Sequence, residues 1–156
     1  MEFPAFKNVY NKPGIELLPH RAPFLFVDTL VSADESGALG EYTFSFEKND
    51  FFKGHFPDYP VVPGVVLIEA MAQVAGAGIV ARGILGGQGK VPTFLFAGVD
   101  GVRFRKPVRP GDKLVTVAEN VRVRKPLAVL ALKGYVNGEL VCDCSAKCMI
   151  GEKDAS

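Results

Sequence analysis

The sequence predicts an α+β protein in which a curved antiparallel β-sheet wraps around one long central α-helix. Three observations carry this. The second half of the chain is a series of alternating apolar and polar runs separated by turn residues. Two of those runs are joined by Asn137-Gly138, the strongest short signal for a hairpin. Only one stretch, Pro63 to Arg82, reads as a long helix, and it is apolar on nearly every side, so it must be enclosed.

Taken in order, Pro19 to Pro23 punctuates the start of a strand over Phe24 to Val31, and Asp34 to Gly37 reads as a turn before the alternating run Glu41 to Phe46. The helix over Pro63 to Arg82 has Pro at a first-turn position and good helix formers in Leu67, Glu69, Ala70, Met71, Ala72 and Gln73. Gly83 to Gly89 is a glycine-rich loop after it. Strands follow over Thr93 to Phe104, Lys113 to Arg124, Leu127 to Val136 and Leu140 to Ile150, with Pro110 to Asp112 as a turn, for roughly five to seven strands in all.

At 156 residues the chain predicts one domain, residues 1–156. Eighteen Lys and Arg against 17 Asp and Glu leave a net charge of +1, which gives no general reason to expect nucleic acid as a partner. Met1 to Lys12 has no basic region followed by an apolar run, so export is not expected. Cys142, Cys144 and Cys148 are odd in number and crowded together, which fits a cytoplasmic protein rather than a disulfide framework. Their alternation with Asp143, Ser145 and Lys147 has the period of a strand. Parallel side chains do not converge as metal ligands must, so they read as small buried thiols, with no metal or cofactor expected. The apolar span Val65 to Ala81 approaches the length of a membrane helix, yet Glu69, Gln73, Gly76 and Gly78 and the flanking amphipathic strands favour a protein core.

A carboxylate on an enclosed helix is costly unless it is paired, hydrogen-bonded or protonated, and function is one reason to keep it. Gln73 lies four residues after Glu69 on the same helical face, where its amide can hold the carboxyl. Upstream, Gly54-His55-Phe56-Pro57 leads through Pro60 and Pro63-Gly64 into the helix. The prolines stiffen a loop that can fix His55, and the free N–H groups of the helix start can receive a substrate oxygen.

The run Gly54-His55-Phe56-Pro57-Asp58-Tyr59-Pro60-Val61-Val62-Pro63-Gly64-Val65, continuing to Ile68-Glu69-Ala70-Met71-Ala72-Gln73, resembles the signature of the Z-type 3-hydroxyacyl-acyl carrier protein dehydratases. Leu18-Pro19-His20-Arg21 with Pro23-Phe24-Leu25, and Phe96-Ala97-Gly98-Val99-Asp100 with Arg103-Phe104 and Pro107 to Asp112, are similar to that family in the same order, so the likeness runs from about Leu18 to Ile150. The resemblance implies the hot-dog fold and a homodimer or trimer of dimers. It implies His55 and Glu69 as the catalytic pair, contributed to each site by opposite subunits. It also implies that the Gly64 N–H binds the thioester carbonyl, that a backbone carbonyl near Val61 fixes the His55 tautomer, and that the substrate arrives on acyl carrier protein.

The chemistry suits these parts. Neutral His55 can take the proton beside the thioester carbonyl, and protonated Glu69 can give one to the departing hydroxyl. His20, the other histidine, reads mainly as a structural residue of the Pro-rich turn, with lining the site as the alternative. A long apolar substrate needs a tunnel, for which Phe24, Phe26, Met71, Phe94, Leu95 and Phe96 are candidates. Arg103, Arg105, Lys106, Arg109, Arg122, Arg124 and Lys125, with few acids near them in sequence, are candidates for docking an acidic carrier protein. Ala22 and Asp50 depart from the family pattern, in which an aromatic and a proline are common, and leave chain-length preference open. Glu69 rather than Asp favours dehydration without double-bond isomerisation. A hot-dog thioesterase and a catalytically silent carrier-binding module are the rival readings; the Gly-His-Phe-Pro run argues against the first and the joint presence of His55 and Glu69 against the second.

Overall fold

The computed structural model describes residues 2–155. Seven strands, β1 (Asn8–Pro13), β2 (Thr29–Asp34), β3 (Gly37–Thr43), β4 (Lys90–Phe104), β5 (Lys113–Arg124), β6 (Leu127–Val136) and β7 (Glu139–Asp154), form one sheet. Its order is β1-β2-β3-β5-β6-β7-β4, with every pairing antiparallel. Register shifts in β1, β2, β4, β5 and β6 bend the sheet, which curves around α1 (Gly64–Ala81) as the hot-dog fold.

Strand β5 and strand β6 have the bounds the sequence predicts, and Asn137 and Gly138, at φ 50° and 78°, make the tight turn of the β6–β7 hairpin. Three points differ from the sequence reading. Strand β1 lies where no strand is predicted, and β3 runs over Gly37–Thr43 rather than over Glu41 to Phe46. The strand expected over Phe24 to Val31 begins only at Thr29, because the Phe26 N–H and Phe24 carbonyl are hydrogen-bonded to the Gln73 side chain instead of to a neighbouring strand.

Helix α1 starts after Pro63, whose carbonyl accepts from the Val66 N–H at 2.9 Å, and stops before Gly83, where φ is 80°. Its core side is packed so closely that a Cβ on Gly78 would stand 2.7 Å from the Ala38 Cβ, so helix and sheet meet nearly backbone to backbone. With a mean hydropathy of 1.8, α1 is long and apolar enough to cross a membrane, but the sheet covers it and Leu67, Ala70, Met71, Val74 and Ala77 are buried against that sheet: it is the core helix.

Candidate active site

Glu69 sits in the second turn of α1, and its carboxyl is held by Gln73 one turn on. The Gln73 amide is oriented without ambiguity: its Oε1 accepts the Phe26 N–H at 2.7 Å, so Nε2 must carry the hydrogens. One goes to the Phe24 carbonyl at 3.1 Å and the other to Glu69 Oε1 at 2.9 Å. The expected support of Glu69 by Gln73 is therefore present, and two backbone groups anchor it. Oε2 of Glu69 makes no hydrogen bond among the described residues.

The carboxyl faces a cavity with about 420 Å³ of empty space, its mouth included. The α1 positions on its wall, Glu69, Ala72, Gln73, Gly76 and Ile79, fall on one helical face spanning about 15 Å. The concave face of the sheet closes the other side with Phe94, Ala128, Leu130, Cys148 and Ile150, and Leu95 and Phe96 also line the space. Of the expected tunnel residues, Phe94, Leu95 and Phe96 line it and three do not. Met71, two residues from Glu69, turns to the opposite face of the helix and is fully buried. Phe26 packs edge-on to Tyr42 in the core, and Phe24 is half exposed beside it.

For His20 the structure shows both readings together, a turn residue that also lines the cavity. The turn is real, with the Arg21 guanidinium donating to the carbonyls of Leu18 and His20, but it carries the imidazole into the cavity. There the ring stacks on Phe94 and its Nε2 lies 3.6 Å from Glu69 Oε1. Burial lowers the His20 pKa from its ordinary value, against the opposing pull of Glu69, so the ring is neutral at pH 7. Its Nδ1 is buried with no partner, an arrangement that typically costs about 1–3 kcal/mol and so calls for a reason. His20 stands four residues before Phe24, the first residue of the segment that anchors Gln73, and no local signal in the sequence marks that link.

His55 follows a 3₁₀ turn (Asp50–Lys53) in a loop fixed by two backbone bonds: its N–H donates to the Phe51 carbonyl and its own carbonyl accepts from the Val61 N–H, both at 2.9 Å. Its Nδ1 is 3.0 Å from the Val61 carbonyl. A carbonyl can only accept, so Nδ1 bears the hydrogen and Nε2 carries the lone pair of a base. Phe56 stacks on the ring at 4.4 Å. Within one protomer His55 does not line the Glu69 cavity; the imidazole beside Glu69 is that of His20.

Gly64 opens α1, and its N–H makes no hydrogen bond among the described residues. The Phe104 ring lies where a side chain would be, 2.6 Å from an ideal Cβ, so only glycine lets the ring sit on the helix start. The basic residues do not form one patch. Arg105 and Lys106 line the groove at this helix start, Arg109 lies over the Tyr59 ring in the His55 loop, and Arg103 is two residues before Arg105 on β4, near Asp143. Arg122, Arg124 and Lys125 lie at the far end of β5, three strands across and several residues along by register, about 20 Å away. Nor are they short of acids, since Arg105 pairs with Asp143, Lys106 with Glu139 and Lys125 with Glu152. Sequence distance concealed these cross-strand partners.

The cysteines are buried as expected, and desolvation pushes Cys142 up to about 12 and Cys144 and Cys148 up to about 11. Among the described residues no group of three His, Cys, Asp or Glu side chains is placed to hold a metal ion.

A curved antiparallel sheet closed around an enclosed helix, with a held carboxyl, a free helix start and an apolar slot, places the protein in the hot-dog class of folds. Residues 18–145 match the model of the FabA-like domain, and the chain belongs to that family, on its FabZ-type branch. It is 43% identical over 128 residues to the 3-hydroxyacyl-[acyl-carrier-protein] dehydratase FabZ of Listeria monocytogenes, covering 82% of this chain and 86% of that one. It is 41% identical over 139 residues to the same enzyme of Bacillus cereus, covering 88% and 93%. Among solved structures, the dehydratase heterocomplex ApeI:P of Xenorhabdus doucetiae superposes with a TM-score of 0.73 at 16% identity, covering 91% and 93% of the two chains. The PaaI protein of Escherichia coli superposes with a TM-score of 0.57 at 16% identity, covering 77% and 80%. At those identities the two structures speak for the fold alone.

Proposed function

We infer that this protein removes water from 3-hydroxyacyl thioesters carried on acyl carrier protein, giving the trans-2-enoyl product in fatty acid biosynthesis. The observation that carries the reading is the 41–43% identity to FabZ dehydratases across most of the chain, joined to a site whose parts suit the reaction. His55 Nε2 takes the proton beside the thioester carbonyl. The Gly64 N–H receives the charge that builds on the carbonyl oxygen, where a single donor of this kind is worth about 3–4 kcal/mol. Glu69 gives its proton to the C3 hydroxyl, which leaves as water, and the apolar slot takes the rest of the chain.

Because His55 is not in the cavity of its own Glu69, the pair is completed by a second copy of the chain. Support comes from β4, a 15-residue strand at the edge of the sheet that pairs with no strand other than β7 among the described residues, with Leu95, Phe104 and the neighbouring Val65 more than half exposed. The carrier protein docks on the basic group at the end of β4 and just after it, Arg103, Arg105, Lys106 and Arg109. Reversing Arg103 to Glu raises KM for the carrier-bound substrate and spares a pantetheine thioester; equal loss on both would defeat that placement. Buried, protonated thiols suit the reducing cytoplasm.

The test is turnover of a purified 3-hydroxyacyl thioester, followed by absorbance of the 2-enoyl product, beside His55→Ala and Glu69→Gln. Enoyl product lost in both variants supports the reading. A free carboxylic acid would make the protein a thioesterase, and binding without turnover a silent module.

A further inference from the structure

The mechanism above leaves His20 unused, although its ring stands in the same cavity as Glu69, with one nitrogen unpartnered in the protein interior. The two nitrogens are not equivalent. Nδ1 is the buried one, out of reach of any ligand. Nε2 is the one toward the cavity, 3.6 Å from Glu69 Oε1, too long for a hydrogen bond, so its donor capacity is unspent. The carboxyl oxygen beside it favours the tautomer with hydrogen on Nε2 over one presenting a lone pair to a lone pair. Two groups 3.6 Å apart can each reach a single oxygen placed between them at about 2.8 Å.

We propose that His20 holds the hydroxyl that leaves: its Nε2–H donates to the substrate's C3 oxygen while Glu69 protonates that same oxygen. This rests on the dehydratase reading. The C2–H electron pair becomes the C2–C3 double bond, the C3–O pair goes to oxygen, and that oxygen departs as water with its own hydrogen and the Glu69 proton. His55 ends with the C2 proton, and His20 keeps its hydrogen throughout. The ring is positioned for this by the Arg21-braced turn on one side and by Phe94 of β4 on the other. The remaining polar groups around it are Glu69 and Gln73 of α1 and the protonated thiol of Cys148 on β7. Two donors on one oxygen also fix the hydroxyl in space, so His20 serves recognition of the 3-hydroxyl as well as its departure.

The experiment pairs kinetics with a binding ratio. His20→Phe fills the ring's space without a donor and should lower kcat on the order of a hundredfold, as removal of a comparable oxyanion donor does. His20→Asn, which keeps an N–H, should recover part of that loss. In a His55→Ala background, which does not turn over, His20→Phe should weaken binding of the 3-hydroxyacyl pantetheine thioester about tenfold and leave that of the saturated acyl thioester unchanged. The ¹⁵N resonance of His20 Nε2 in the same background, needing no change at His20, should move with the hydroxylated ligand and stay still with the saturated one. A kcat within threefold of wild type in His20→Phe, equal weakening of both ligands, or a still resonance would each overturn the proposal. If wild type makes no enoyl product, the dehydratase reading itself fails. If it does and His20 is indifferent, only this inference falls.

Discussion

Replacing Gln73 by Leu tests how the site is built into the fold. The change keeps side-chain volume roughly constant at a position that is 3% exposed, so the consequence is polar rather than steric. It removes three hydrogen bonds, to the Phe26 N–H, the Phe24 carbonyl and Glu69. Phe26 is buried, so its N–H is left unpaired, a loss of about 1–3 kcal/mol. Phe24 is half exposed and its carbonyl recovers water, adding less than about 1 kcal/mol. The expected destabilisation is about 2–3 kcal/mol. With a urea dependence of about 1–3 kcal/mol per molar, the midpoint falls by roughly 1 M at fixed protein concentration. Glu69 loses the one hydrogen-bond donor it has among the described residues, and a misplacement on the order of 1 Å is enough for a kcat loss of about 10- to 100-fold. Urea unfolding and enoyl formation measure the two effects. A stability loss under about 1 kcal/mol together with kcat within twofold would refute the reasoning, since Gln73 could then be neither the anchor of Phe24–Phe26 nor the holder of Glu69.

Mixing inactive His55→Ala and Glu69→Gln proteins under subunit exchange should restore activity, because one site of each mixed dimer then has both groups; no recovery, with exchange confirmed by mass, would place the pair within one chain. Gly76→Leu should cut turnover of long acyl substrates at least tenfold more than that of a four-carbon substrate, since the new side chain enters the slot beside Phe94, whose ring already lies 3.1 Å from an ideal Cβ there; an unchanged chain-length profile would contradict the route. Asp34 has its pKa lowered from 3.8 to about 2, chiefly by the Ser36 hydroxyl and then by the Lys7 N–H. The unfolded chain therefore binds the extra proton first, and the stabilisation present above pH 4 is lost as pH falls toward 2. Asp34→Asn should flatten the stability curve in that window, measured by urea midpoints at successive pH values, and an unaltered slope would count against it.

The fold was legible wherever local signals and tertiary packing agreed. The β6–β7 hairpin needed only its Asn-Gly turn and period-two runs, and α1 only its continuous apolar character. Phe24 to Val31 was misread because its early residues have the apolar pattern of a strand while their backbone partners lie 47 and 49 residues away on a side chain. No local rule reveals that Gln73 substitutes for a strand edge. Position along the helix decides which side chains line the cavity: Gly76 and Ile79 stand seven and ten residues beyond Glu69, whereas Met71 is on the opposite face. Pairs such as Arg105 with Asp143 depend on register across β4 and β7, which composition cannot supply.

The misread strand and the undervalued histidine have one physical origin. A segment that forgoes sheet pairing must place its backbone N–H and C=O groups elsewhere, and here Phe24–Phe26 places them on Gln73, which in turn spends its last hydrogen on Glu69. The same detour brings the preceding turn, with His20, against the carboxyl. A regular strand over these residues would satisfy the same backbone groups through the sheet, leave Gln73 unanchored and carry His20 off the cavity. The irregular backbone is therefore a condition of the site rather than a defect beside it. Changes that raise strand propensity at Pro23, next to the Phe24 carbonyl that Gln73 holds, should therefore lower kcat for enoyl formation by more than their effect on the urea midpoint accounts for.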